Sequence, residues 1–388
     1  MKKIAVVLTQ PIDYSTSSMI RCRNIINEYP KLGWSVICFS PYPDQSNKYY
    51  DGQIYLNPGI IVKRYGKKIS GNTVIGVENV LKKKIYTFIR GMYKKIDLFG
   101  SSIKYVKYKK EICDCIKTEN CNFLLSFSDP KPAHIIAGYC KRHIKGIKYV
   151  QQWGDPLTLD ITSKTILPKW YRHKVEAVLL KSADRVCYVS PITFEEQKRA
   201  FKGKSDDMIY LPTPCEEHRY KSGTKSRIKV GYFGSYNLVA RDIRSFYNTA
   251  CSLTDCDFVF VGDSDLELQA KANIQIVDRV TPKDLEEYTS NVDVLVCLMN
   301  KRGTQIPGKI YNYAGTNKEV LVIKDGECGD EIEAFFAKYN RYTFVENKES
   351  ELFEVISNYI HNGVPERTPL KEFSPNVVAT KLISGLVD

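Results

Sequence analysis

The chain has 388 residues, 43% of them hydrophobic, which is enough for two domains, each with its own core. Its net charge of +13 is uneven: residues 1–225 carry 39 Lys and Arg against 20 Asp and Glu, whereas residues 226–388 carry 18 against 24, so any preference for anionic partners belongs to the first half. No apolar run reaches the ~20 residues of a membrane-spanning helix, and the twelve cysteines show no zinc or redox spacing, so they read as reduced, buried thiols of a cytosolic protein.

Ile4–Leu8 is an apolar run behind two lysines, too short for a signal peptide, and reads as a first strand. Met19–Leu32 follows as a helix with Ile20, Ile25, Tyr29 and Leu32 as its apolar positions, ended by Gly33. Further strands are expected at Ser35–Phe39, Phe123–Phe127, Tyr149–Gln152 and Arg185–Val189, with helices over Ala133–Cys140 and Lys169–Lys181. This βαβ alternation predicts a parallel sheet with right-handed crossovers.

Between the second and third strands lies an unusual stretch, Leu81–Lys110. Apolar residues recur there at Leu81, Ile85, Phe88, Met92, Ile96, Phe99, Ile103 and Val106, in steps of three and four. The same segment holds ten Lys and Arg and one acid, Asp97, and Gly100 with Ser101 and Ser102 should split it into two helices. Such a stripe suits an anionic bilayer surface. It also suits a domain helix whose apolar side meets the core.

The second half starts afresh. Strands are expected at Ile228–Phe233, Asp257–Val261, Ile274–Val277, Val292–Leu298, Val320–Ile323 and Tyr342–Val345, with helices near Phe246–Leu253 and Leu352–Ile360. Thr281-Pro282 opens another helix, with an N-cap Thr, Pro at the first position and acids in the first turn. The joint between the halves falls near Leu211–Cys215 and Lys221–Ser226. The expected domains are 1–218, 226–365 and a tail, 366–388, returning to the first. Two such domains would face each other across a cleft at the C-terminal ends of their strands.

The segment Thr304–Val322 reads as a tight loop, a short helix and a buried strand. Pro307 and Gly308 make the turn, Lys309–Ala314 coils, and Gly315 with Asn317 ends the helix. A helix start beside a parallel sheet attracts a phosphate, and Lys309 adds a full positive charge. In the first half, Asp155 follows the strand Tyr149–Gln152 within Trp153-Gly-Asp-Pro, where a carboxylate could take a proton from a hydroxyl. An Asp-Pro turn explains the same residues equally well. Asp129, ending the preceding strand, and Asp13 are weaker candidates of the same kind. The five histidines show no metal spacing, and His134 reads as a helix start.

These pieces together resemble the GT-B glycosyltransferases, especially the family 4-like enzymes of bacterial surface-polysaccharide, O-antigen and capsule assembly. The likeness runs through Thr16–Arg21, Gly33–Pro41, Asp184–Thr193, Ile209–Pro214, Lys229–Asn237, Phe258–Asp263 and the segment from Val292 to Val322. It implies an α/β fold of two Rossmann-like domains with parallel sheets. It implies a UDP- or GDP-sugar donor on the second domain, and on the first an acceptor, a polyprenyl-diphosphate-linked glycan at the anionic cytoplasmic face of the inner membrane. No metal and no permanently bound cofactor are implied.

The resemblance places donor contacts at Ser18, Gly234, Ser235, Arg241, Gly262, Arg279, Val280, Thr304, Gln305, Gly308, Lys309 and Asn312, and catalysis at Asp155 with Asp129 as second candidate. One departure matters. Retaining members carry two glutamates eight positions apart, and here those positions read Thr304 and Asn312. The resemblance leans towards retention, and this change leaves the stereochemistry open. Two rivals use the same features differently. A GT-B-fold sugar-nucleotide epimerase would have little use for the basic stripe, and a glycan phosphorylase would need a pyridoxal-phosphate lysine site in a much longer chain. A nucleic-acid binder would use the basic half, which lacks a recognition motif or an aromatic stacking platform.

Overall fold

Short apolar strands dominate the chain because each must be buried on both faces. Thirteen are found in the computed structural model, which describes residues 2–161, 163, 165–221 and 227–386 apart from 69–94. The first unit holds β1 (Lys3–Val7), β2 (Ser35–Pro41), β3 (Ile60–Tyr65), β4 (Phe123–Phe127), β5 (Lys148–Trp153), β6 (Arg185–Tyr188) and β7 (Met208–Tyr210). They form one parallel sheet in the order β3-β2-β1-β4-β5-β6-β7. The second unit holds β8 (Lys229–Phe233), β9 (Asp257–Val261), β10 (Ile274–Val277), β11 (Val294–Leu298), β12 (Glu319–Lys324) and β13 (Thr343–Glu346). Its parallel sheet runs β10-β9-β8-β11-β12-β13.

Both orders are doubly wound: the chain lays strands outward in one direction, returns to the middle and continues in the other. The reversal falls between β1 and β4 in the first unit and between β8 and β11 in the second. Helices diverge at such a point and leave a crevice at the strand C-termini. The registers fix which residues reach it: Ile4 pairs with Val36 and Phe123, and Val294 with Val230 and Glu319. β11 is buried at every position, and each buried aliphatic side chain there stabilises the sheet by roughly 1.5–3 kcal/mol.

The chain folds as two compact units, Met1–Leu211 with Ala379–Asp388, and Pro212–Val378. The boundaries differ from those expected at 218 and 366. Cys215 N–H bonds to the Phe373 carbonyl, His218 N–H to Gly315, and Leu370 N–H to Ala314, which ties 215–218 and 370–373 to the second unit.

Most expected elements are present, several with shifted ends. Thr281 caps the helix Pro282–Ser290 by accepting from Asp284 N–H. The long helix expected over Met19–Leu32 is two, Ser17–Ile26 and Glu28–Lys31. Nine of the twelve cysteines are buried, and burial pushes thiols such as Cys22 and Cys187 up to about 12.

The basic stripe divides. Lys82, Lys83, Lys84, Arg90 and Lys94, with Phe88 and Met92, lie outside the described residues. Within them, Gly100–Tyr108 is a 3-10 helix rather than the second α-helix. Asp97 explains the break, because its carboxylate accepts from Phe99 N–H at 2.8 Å and Gly100 N–H at 3.0 Å. Phe99 and Val106 pack on the core, as an ordinary domain element would, while Ile96 is 52% exposed.

Candidate active site

In the second unit the switch point is built around two glycines. Gly234 follows β8 and Gly262 follows β9, and a Cβ on Gly262 would lie 2.1 Å from the Gly234 carbonyl oxygen. Only glycine lets these strand ends approach so closely. A Cβ on Gly234 would lie 3.0 Å from Lys309 Cε, so the lysine stem crosses the glycine. Lys309 Nζ sits 5.6 Å from the Tyr313 ring centroid. Among the described residues no carboxylate pairs with it. Burial pulls its ammonium down to about 8, and Arg241 and Arg279 push the same way against the thiol of Cys297.

The two arginines are held differently. Arg241 Nε donates to Asn300 Oδ1 at 2.8 Å, and Asn300 Nδ2 donates to the Gln305 carbonyl at 2.9 Å. This joins the loop after β8, where Ser235 is exposed, to the loop after β11. Gln305 itself is buried, and its Nε2 has no hydrogen-bond partner. Arg279 is exposed beside Val280 and meets Asp263 at 3.4 Å. Thr304 is buried and Asn312 is exposed.

The helix Lys309–Ala314 has six residues and Gly308 as its N-cap. Its early N–H groups are partly occupied: Ile310 N–H bonds to Pro307, and those of Tyr311 and Asn312 to Gly308. The positive potential here therefore comes chiefly from Lys309 and its two arginines rather than from open backbone donors. The far end of the helix is fastened by Arg341, which is 1% exposed. One guanidinium nitrogen donates to the carbonyls of Tyr313 and Thr316 at 2.8 Å and of Lys318 at 2.9 Å. Tyr342 Oη donates to Ile310 O at 2.9 Å.

In the first unit the switch point gathers carboxylates and buried cations. Asp129 follows β4, and Asp155 follows β5. Arg21, on the helix Ser17–Ile26, is 5% exposed. Its Nε donates to Gln152 Oε1 and a terminal nitrogen to the Ser128 carbonyl, both at 3.1 Å. Ser18 Oγ donates to the Asp129 carbonyl at 2.8 Å. Lys131, 7% exposed, bridges Asp129 at 2.8 Å and Asp160 at 3.1 Å. A Cβ on Gly154 would lie 2.9 Å from Arg21 and 3.0 Å from Asp129 Oδ2, so these groups converge just before Asp155.

The Asp155 carboxyl is pushed up to about 7, first by burial and then by Asp129 and Asp160, with Lys131 and Arg21 pulling back. A carboxyl titrating there can hold or release a proton near neutrality. Asp13 takes no part, because Arg64 holds both of its oxygens at 2.8 and 2.7 Å. His134 is also structural: its Nδ1 meets Ser126 Oγ at 2.7 Å and its ring stacks on Trp153 at 4.3 Å. Burial, then Lys131, lowers it to about 3, so it is a neutral ring. Among the described residues no group of His, Cys, Asp and Glu is arranged to hold a metal ion.

No protein-family model and no curated protein matches the chain. Solved structures match it over nearly its whole length. Sucrose-phosphate synthase from Thermosynechococcus elongatus superposes with a TM-score of 0.63 at 13% identity, covering 98% of this chain and 97% of that one. HepE of Anabaena in complex with UDP and glucose superposes with a TM-score of 0.57 at 12% identity, covering 98% and 95%. The fold is GT-B. A UDP-N-acetylglucosamine 2-epimerase shares it, with a TM-score of 0.50, 9% identity and coverage of 100% and 96%. At such identities the likeness establishes the GT-B fold alone.

Within this GT-B chain, sequence reasoning missed Arg21, Lys131, Asp160 and Asn300. Arg21 left a trace, as a charge set between Met19, Ile20 and Cys22, with Arg23 two positions on. Lys131 and Asp160 left none, since their pairing spans β5 and its following loop.

Proposed function

We propose that the protein is a glycosyltransferase that takes a sugar from a UDP- or GDP-sugar and passes it to a hydroxyl group. The observation that carries this reading is Lys309. It is a crowded lysine with two arginines nearby and no carboxylate partner among the described residues, placed at the switch point of a doubly wound sheet. Such a surplus of positive charge is costly unless an anion completes it. A nucleoside diphosphate brings two phosphates and gains charge on the leaving group as the glycosidic bond breaks, so these cations stabilise the transition state more than the ground state. HepE, with its UDP and glucose, offers an analogy. Gly234, Ser235 and Gly308 supply backbone near these charges, and Gln305 supplies an unused donor. Arg279 and Val280 are assigned to the base, Asn312 and Thr304 to the sugars.

The first unit serves the acceptor in this reading. Asp155 takes the hydroxyl proton or positions the sugar, and Asp129 with Lys131 sets its charge. Ser18 is assigned to the donor phosphates. The acceptor is a polyprenyl-diphosphate-linked glycan of surface-polysaccharide synthesis, which puts the protein on the cytoplasmic face of the inner membrane. The reading calls for no metal, because Lys309 and Arg241 supply positive charge for the diphosphate, with Arg279, paired to Asp263, beside them.

The test is calorimetric titration of wild type and Lys309→Ala with UDP and GDP, followed by mass spectrometry of nucleotide sugars incubated with a lipid-linked acceptor pool. Expected are binding of one nucleotide, its loss in the variant, and an acceptor heavier by one sugar. Sugar turnover that needs no acceptor would identify an epimerase instead. Wild type that binds neither UDP nor GDP would overturn the reading.

A further inference from the structure

The helix Lys169–Lys181 buries Glu176, Leu179 and Leu180. Its opposite side carries Trp170, Lys174, Val178 and Lys181 at helical spacing, with Tyr171 beside them. Trp170 is 61% exposed, Tyr171 42% and Val178 71%. The loop leading into the helix adds Ile166, 68% exposed. That loop is tied to the segment at Lys95, whose carbonyl accepts from Ile166 N–H at 2.7 Å and Thr165 Oγ1 at 2.9 Å. Exposed Ile96 adjoins it.

The charge on this surface is one-sided. Residues 161–181 hold four Lys and Arg besides Lys164, and a single acid, Glu176. Glu176 is fully buried, with its carboxylate taken by Leu157 N–H, Thr158 N–H and Thr158 Oγ1. Lys174 Nζ lies 5.2 Å over the Trp170 ring, so the positive charge sits directly beside the largest apolar group. An occupant must therefore be anionic at one depth and apolar just beyond it. A bilayer with acidic headgroups has this layering: phosphates for the lysines, acyl chains for isoleucine and valine, and a boundary favoured by Trp and Tyr.

We infer that this face docks on an anionic lipid surface, with Ile166, Trp170 and Val178 entering the acyl boundary and Lys174 and Lys181 on the headgroup phosphates. The inference deepens the membrane reading proposed above, and it places the contact on residues outside the 81–110 stripe.

The test uses the full chain with vesicles of phosphatidylcholine alone and of phosphatidylcholine with phosphatidylglycerol. Wild type floats with the anionic vesicles only, and added salt weakens it. Bromine-labelled acyl chains quench Trp170 emission, and Trp170→Phe abolishes the quenching, since Trp153 is buried and Trp34 packs on Phe123. The combined variant Ile166→Ser, Trp170→Ser, Val178→Ser stops floating. Lys174→Gln with Lys181→Gln weakens partitioning roughly 30-fold, at about one surface charge contribution per lysine.

Both variants keep the wild-type melting temperature and nucleotide binding, because the substituted side chains face water. A triple-serine variant that floats like wild type overturns the inference while leaving the membrane reading intact. Wild type that floats on neither vesicle, or that is captured only by a protein partner, overturns both. Equal flotation on neutral vesicles removes the charge argument and overturns the assignment of the lysines. Nucleotide binding unchanged throughout leaves the transferase reading standing in every case.

Discussion

The two switch points share a strand order and have opposite charge balances. At the first, Arg21 and Lys131 are buried among Asp129, Asp155 and Asp160, and Lys131 has two carboxylate partners. At the second, Lys309 has two arginines nearby and, among the described residues, no carboxylate partner of its own, while Asp263 meets Arg279 at 3.4 Å. The sheets do not account for this difference, since both present strand ends to a crevice in the same way. It resides in the few residues that follow each strand. A balanced cluster holds its own charges and shifts a proton, while an unbalanced one waits for a charge from outside. That contrast is the physical basis for assigning proton transfer to the first site and anion binding to the second.

The largest effect that would sharpen the contrast is Asp155→Asn. Turnover should fall by about 10²–10⁴-fold, with UDP or GDP affinity unchanged. Steady-state kinetics beside calorimetry would decide it, and wild-type turnover would reduce Asp155 to a turn residue.

Lys309→Ala should do the reverse. Nucleotide affinity should fall by about 2–3 kcal/mol, roughly 30- to 150-fold, with the fold intact. A thermal shift with UDP or GDP that survives the substitution would place the diphosphate elsewhere.

The pH dependence follows from the two groups. Asp155 must ionise to accept a proton, so the rate rises as pH climbs through about 7. Asp129→Asn removes a like charge and moves that limb to lower pH. Lys309 loses its proton above about 8, so nucleotide affinity declines from there upward. The best activity should lie in the narrow interval between the two. Asp155 also has a stability signature: its folded pKa exceeds the unfolded value, so its contribution is present at low pH and is lost as pH rises towards 7. Asp155→Asn should therefore raise the melting temperature at pH 8 more than at pH 4.

The smallest effect separates the glycines. Gly262→Ala drives a methyl into the backbone carbonyl of Gly234, and should cost about 1–3 kcal/mol and weaken nucleotide binding. Gly154→Ala meets only the side-chain ends of Arg21 and Asp129, which can give way, so denaturant midpoints should show the lesser loss.

The two parallel α/β units are legible because their central strands are continuous apolar runs with clear helix punctuation between them, and the GT-B fold follows only from the resemblance of the segments around those strands. Two strands escaped notice. β3 contains Lys63 and Arg64 in an edge position with water on one side, and β7 has only three residues. Within the sites, Lys309, Gly234 and Gly262 could be found because local turn chemistry marks them. Arg21 could not be assigned, because its partners Ser128 and Gln152 lie 107 and 131 residues away. The helix start expected to attract a phosphate offers fewer open N–H groups than its sequence suggests, since the Pro307 and Gly308 carbonyls already engage the first turn.

The Lys309 helix has six residues, far below the length at which an isolated helix persists. It holds its shape because Arg341 grips its tail from inside the second unit and Tyr342 holds the carbonyl of Ile310 in its first turn. The anchorage is thus remote from the face that would meet a ligand. The loop 304–308 makes none of those anchoring bonds, although Thr304, Gln305 and Pro307 within it are buried. If the chain is the proposed transferase, a library randomised in that loop should change nucleotide-sugar preference while leaving the Arg341 anchorage of the helix in place.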